Sequence, residues 1–159
     1  MLNIDLSNRI VVVTGASGDL GRVMVRTLAK CGADVAVHYL KNQAKADELV
    51  AEITEMGVRG VAVQADITQL DSVMAMRDQI REALGDPNII VNNAVIQYNW
   101  VSILEQDEAD YEGQFRSCVL HNVFMTKAFV PAMIEKNHGR VIGISTECVM
   151  QNFPNQSAY

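Results

Sequence analysis

The sequence predicts an α/β protein: a doubly wound parallel sheet with helices on both faces. Three observations carry that expectation. Short β-branched apolar runs alternate along the chain with apolar stripes at helical spacing. The connections between them are short, as right-handed strand–helix–strand units require. Between the first run and the first stripe, Gly15, Gly18 and Gly21 recur at three-residue spacing.

The elements follow in order. Ile10 to Val13 is apolar at every position, which suits a strand buried on both faces. After the glycines, Leu20, Val23, Met24, Thr27, Leu28 and Cys31 fall on one helical face. Asp34 to Tyr39 reads as a second strand. Ala46, Leu49, Val50, Ile53 and Met56 form the next stripe, which Gly57 closes. Gly60 to Ala65 is a third strand, and Leu70, Val73, Met74, Arg77, Ile80 and Leu84 line a third helix ended by Gly85-Asp86-Pro87. Ile89 to Val91 is a fourth strand. A loop rich in aromatic and amide residues, Ile96 to Val101, leads to a long helix from about Tyr111 to Asn137, and Val141 to Ile144 is a fifth strand. No repeat or linker interrupts the 159 residues, so they read as one domain, 1–159.

Composition narrows the function. Hydrophobic residues make up 49% and charged residues 20%, the balance of a folded α/β domain rather than a disordered chain. A net charge of -6 with no basic cluster argues against a nucleic-acid partner. Cys31, Cys118 and Cys148 are scattered and odd in number, which fits a reducing compartment, and the cytoplasm is the expected location. No apolar run reads as long enough to span a membrane, so no membrane partner is expected. His38, His121 and His138 lack the spacing of metal ligands, and no metal is expected.

The opening strand, glycine turn and helix form the start of a dinucleotide-binding unit. Glycines permit a tight turn and a close backbone approach to a pyrophosphate, and the helix N-terminus offers free N–H groups. No Lys-Ser/Thr pair closes the turn, so it is not a nucleoside-triphosphate loop. The second strand ends in His38-Tyr39-Leu40-Lys41-Asn42, with no acid to hold the adenosine ribose of NAD. Lys41 is either a solvated loop charge or a partner for a 2′-phosphate, which favours NADP and leaves NAD open. Asp66 suits an adenine amino group or caps the following helix equally well. On the long helix Phe115, Val119, Asn122, Thr126, Phe129 and Met133 are spaced to share one face, and Asn122 is a full amide in that mostly apolar stripe. The fifth strand runs into Ser145-Thr146, and Tyr159 stands thirteen residues further on. A phenol works as an acid or base near neutrality only beside a cation that lowers its pKa.

The ordered set T-G-A-S-G-D-L-G, the Asp66 position, V-N-N-A, H-N-V, I-S-T and a final Tyr resembles the short-chain dehydrogenase/reductases, nearest to the group that includes 3-oxoacyl-carrier-protein reductases. The resemblance covers the whole chain. It implies a Rossmann-type sheet in the order 3-2-1-4-5 and hydride transfer between a nicotinamide cofactor and a small carbonyl or alcohol substrate. By that resemblance Gly15, Ser17, Gly18, Leu20 and Gly21 line the pyrophosphate, Asp66 and Ile67 meet the adenine, and Asn93 and Ala94 lie on the ribose side. Asn122 orders a water in a proton relay, Thr146 with Ser145 beside it holds the substrate oxygen, and Tyr159 is the acid/base. It also implies a homodimer or homotetramer formed through the long helix, where Phe115, Phe124 and Phe129 stand around the circumference.

The chain departs from that pattern at four places. Asp19 stands where the group has its middle glycine, so the spacing is that of larger, extended members. Val95 replaces the glycine after N-N-A, and Thr146 replaces Ser. The Lys that follows the family's catalytic Tyr by four positions has no counterpart in the sequence. The chain therefore reads as the N-terminal part of such an oxidoreductase. The alternative is a non-catalytic nucleotide-binding fragment or a degenerate member of the family.

Overall fold

Val11, Val12 and Val13 are fully buried, as a run with no polar face demands, and they form the centre of the sheet. The computed structural model describes residues 4–151 and 153–158. Five strands, β1 (Ile10–Val13), β2 (Asp34–Tyr39), β3 (Gly60–Gln64), β4 (Ile89–Asn92) and β5 (Arg140–Gly143), pair in parallel in the order β3-β2-β1-β4-β5. That is the order expected. The first two strands keep their expected bounds, β3 stops one residue sooner, β4 extends to Asn92, and β5 starts at Arg140.

Alternate residues of each strand face opposite layers. Val11, Val13, Val35 and Val37 pack with Val25 and Ala29 of α1 (Asp19–Lys30) and with Leu49 and Ile53 of α2 (Gln43–Glu55). Val12, Ala36, Val63 and Ile90 face the other way. They meet Val73, Met76 and Ile80 of α3 (Leu70–Ala83) and the long helix at Met125 and Phe129. The two clusters are the two cores of a doubly wound sheet, and the strands' carboxyl ends open between them on one edge.

The long helix departs from its expected phase. It comprises α4 (Glu108–Gln114), a π-wound segment (Phe115–Leu120) and α5 (His121–Glu135). The buried side chains are Gln114, Ser117, His121, Met125, Ala128, Phe129 and Met133, whereas Phe115, Val119 and Thr126 are exposed. Ser117, His121, Met125, Phe129 and Met133 recur at four-residue spacing, so the inner face lies beside the expected stripe even in regularly wound α5, where Thr126 is exposed. The π turn, which bonds i to i+5, is a local departure within that face. Phe129 is buried and Phe124 packs against the α3-side core, so of the three phenylalanines Phe115 is the exposed one. By length and composition Glu108–Glu135 is apolar enough to cross a membrane, contrary to the sequence reading. Its inner face lies on β4 and α3, while Phe115, Val119, Val123 and Ile134 on its other sides are exposed.

Candidate functional site

The glycine turn follows β1 directly. Gly15 has φ +64°, a conformation that costs glycine nothing. Its N–H donates to Nδ1 of His38 at 2.9 Å, and Ala16 N–H donates to the His38 carbonyl at 2.9 Å. A Cβ on Gly21 would run into the Gly15 carbonyl and lie 2.8 Å from Ala16 Cα, so the first turn of α1 packs onto the glycine turn only with glycine there. Gly18 is the N-cap of α1 and makes no side-chain cap, which leaves the first N–H groups of the helix to a ligand or solvent. Asp19 turns outward, its side chain 98% exposed, and pairs with Arg22 at 2.7 Å. Its carboxylate suits the positive end of the helix.

A polar row lies beneath this turn. Extending the β1 register by one residue sets Thr14 between His38 of β2 and Asn92 of β4, and Asn92 pairs in turn with Gly143 of β5. Thr14, fully buried, donates from Oγ1 to the Val91 carbonyl at 3.3 Å and accepts from the N–H groups of Asn93 at 2.9 Å and Ala94 at 3.1 Å. The Asn93 amide nitrogen donates to the carbonyls of Thr14 at 2.9 Å and Gly15 at 3.4 Å, so this side chain ties β4 to the glycine turn. His38 uses its other nitrogen, Nε2, to donate to the Ala65 carbonyl at 3.0 Å. Burial pushes its pKa down, so the ring is neutral with its hydrogen on Nε2.

The long helix closes the row from above. Its π-wound segment presents two consecutive carbonyls to side chains four residues on. Ser117 C=O accepts from His121 Nδ1 at 3.1 Å, and Cys118 C=O accepts from Asn122 Nδ2 at 2.6 Å. Asn122 Oδ1 accepts from Asn92 Nδ2 at 2.7 Å. Gly143 lies opposite this amide, where a Cβ would make only ordinary contact with Asn122 Oδ1 at 3.9 Å. His121 is 1% exposed, and burial pushes its pKa down to about 4. Thr14, Asn92, Ser117 and His121 were not read as site residues from the sequence. The signal for two of them was present in register terms, since Thr14 and Asn92 each directly follow a buried strand run.

One cavity of about 1110 Å³ opens over these groups at the carboxyl edge of the sheet. Gly15, Ser17, Gly18, Leu20 and Gly21 line one side of it, and Lys41 is the lysine or arginine among its described lining residues. Asp66, Ile67, Asn93 and Ala94 line the middle, with Asn122, Ser145 and Thr146 beyond β4 and β5. Asp66 Oδ1 accepts from the Thr68 N–H at 2.9 Å and from its hydroxyl at 2.7 Å, so one oxygen already holds the turn into α3. Thr146 Oγ1 accepts from Cys148 N–H at 3.2 Å, which keeps its own hydrogen available. Val95, 36% exposed, stands at the rim. The cavity gathers every described residue that the sequence assigned to cofactor binding or catalysis, while Tyr159 lies outside the described residues.

Comparison with known proteins agrees with this architecture. The family model for the short chain dehydrogenase matches residues 9–159. A short-chain type dehydrogenase/reductase of Picea abies is 28% identical over 97% of this chain and 59% of its own length. A 3-oxoacyl-[acyl-carrier-protein] reductase of Synechocystis is 31% identical over 97% of this chain and 62% of its own. A crystal structure of NAD+-bound xylitol dehydrogenase superposes with a TM-score of 0.89 at 24% identity, covering 96% of this chain and 58% of that one, and so shares the fold. The chain thus spans 59% to 62% of the length of these curated relatives. With the family pattern running from Arg9 onward over this sheet, the chain belongs to the short-chain dehydrogenase family.

Proposed function

We propose that this chain carries the cofactor half of an oxidoreductase that moves hydride between NADP and a small carbonyl or alcohol substrate. The observation that carries the reading is the glycine turn, where Gly15 and Gly21 bring backbone against backbone and the uncapped N-terminus of α1 faces the cavity. A nicotinamide cofactor, when bound, supplies or accepts the hydride. Gly15, Ser17, Gly18, Leu20 and Gly21 bind its pyrophosphate, and Lys41 neutralises the 2′-phosphate that distinguishes NADP from NAD. Ile67 and the free oxygen of Asp66 read the adenine. Asn93 has committed its nitrogen to the turn, so its part toward the ribose falls to its oxygen and to Ala94. Thr146, with Ser145 next to it, donates a hydrogen bond to the substrate oxygen. Tyr159 holds the proton that the oxygen gains, and Asn122 steadies the relay behind it.

The same reading extends to assembly and location. Phe115, Val119, Val123 and Ile134 are exposed along the outer face of the long helix, which suits a homodimer or homotetramer formed there. The three cysteines are unpaired, which suits the reducing cytoplasm. Fluorescence titration with NADPH and NADH tests the core of the proposal. NADPH is expected to bind at least ten-fold tighter than NADH, and Lys41→Ala is expected to erase that preference while leaving NADH affinity unchanged. Binding of neither nucleotide overturns the reading.

A further inference from the structure

Two acceptor atoms in the cavity floor have no hydrogen-bond partner among the described residues: His121 Nε2 and Asn92 Oδ1. Both side chains line the cavity, and they are 1% and 5% exposed. A buried acceptor without a donor is unfavourable by the full desolvation of the group.

The polarity of each group is forced by its neighbours. A carbonyl only accepts, so the His121 nitrogen that faces Ser117 C=O carries the hydrogen, and Nε2 keeps a lone pair. By the same argument Asn122 turns its nitrogen to Cys118 C=O and its oxygen to Asn92. Asn92 must then give its nitrogen to Asn122, which leaves Oδ1 in need of a donor. Water is the donor that such lone pairs take beside a polar cavity, and its two hydrogens allow one molecule to serve both.

We propose that His121 is a positioning residue which, through water bound at its Nε2 and at Asn92 Oδ1, fixes the direction of the Asn92–Asn122 amide chain. The circuit runs from Ser117 C=O through His121, water, Asn92 and Asn122 to Cys118 C=O. It begins and ends on adjacent carbonyls of the π-wound segment, and each amide nitrogen in it donates to one acceptor. Neither amide can flip without breaking two bonds. His121 therefore acts on the site through Asn92 and Asn122. The assignment rests on this geometry alone and stands whichever nucleotide the cavity takes.

Nitrogen-15 NMR of the labelled chain reads the tautomer, and a high-resolution crystal structure reads the water. The expected result is a His121 ring protonated on Nδ1 and ordered water within about 3.2 Å of both acceptors. A ring protonated on Nε2, or a dry floor, overturns the proposal. Side-chain amide exchange gives the functional readout. His121→Gln retains an acceptor and is expected to keep the Asn122 amide exchanging within two-fold of the unaltered protein. His121→Phe fills the space without an acceptor and is expected to speed that exchange at least ten-fold. Equal exchange in a His121→Phe protein whose β1 amides stay protected also overturns it. Should His121→Phe not fold, tautomer and water density remain decisive on the unaltered chain.

Discussion

Gly15 N–H and His38 Nδ1 meet at 2.9 Å, so the glycine turn is held by a side chain from the neighbouring strand. Because His38 Nε2 also donates to Ala65, one neutral imidazole ties the ends of β1, β2 and β3 together. A proton on Nδ1 would face the Gly15 N–H and break the link.

Acid should therefore weaken the fold before the carboxylates titrate. An unfolded histidine titrates near 6.5, whereas burial lowers both His38 and His121, the latter to about 4. Between those values the unfolded chain binds more protons, so stability falls as pH drops below about 6.5 and is fully present above it. Each histidine contributes a slope of at most about 1.4 kcal/mol per pH unit. Urea denaturation at pH 7, 6 and 5 is expected to show a falling midpoint, and a flat midpoint over that range would count against neutral buried rings.

Gly21→Ala tests the close approach of α1 to the turn. Backbone atoms of Gly15 and Ala16 occupy the space a Cβ needs, and overpacking of this kind costs about 2 kcal/mol. Thermal denaturation is expected to show the loss, together with weaker nucleotide binding. Unchanged values for both would mean the turn yields freely.

Thr14→Val keeps shape and strand propensity but removes the oxygen that accepts from Asn93 and Ala94. Two part-buried N–H groups then lack an acceptor, at a cost of about 2 kcal/mol. Thr14→Ser should recover most of it. Equal stability of the Val and Ser variants by chemical denaturation would show that the hydroxyl is not what joins β1 to β4.

Asp86 clamps the far edge of the sheet, accepting from Arg81 at 2.6 Å and from Lys136 at 3.2 Å. The Arg81 hydrogen bond holds its carboxyl below the usual range, so this stabilisation is present at neutral pH and is lost only as pH falls through that lowered value. Asp86→Asn is expected to lower Tm at pH 7 by about 2 °C, the scale of a partly exposed pair in a chain of this size. The difference between the two proteins should vanish in strong acid.

Much of this was legible in the chain itself, because burial writes directly onto strands. Runs such as Val11-Val12-Val13 and Ile89-Ile90-Val91 have no polar face, and the parallel order follows once helices alternate with them. The glycine turn was legible for a similar reason, since Gly21 sits where no side chain fits. The row of Thr14, His38 and Asn92 was not, because it depends on register across three strands far apart in sequence. The phase of the long helix was misjudged at Phe115, Val119 and Thr126, since two neighbouring stripes share this apolar helix and periodicity alone does not choose between them. His121 stayed hidden with it, because it falls beside the expected stripe, on the face that carries Ser117 and Met125.

That π turn also makes the region sensitive to length rather than to composition. A π turn holds one more residue than an α turn, each residue of an α-helix advancing about 100°. Losing one residue between Phe115 and Leu120 would therefore restore α winding with α4 still in phase with Asn122, whereas gaining one would turn α4 around the helix axis. Substitutions on the outer surface of this stretch are cheap, but a one-codon insertion would carry Gln114 off the buried face. Among relatives that keep this arrangement, the spacing from Gln114 to Asn122 should vary less than the residues that fill it.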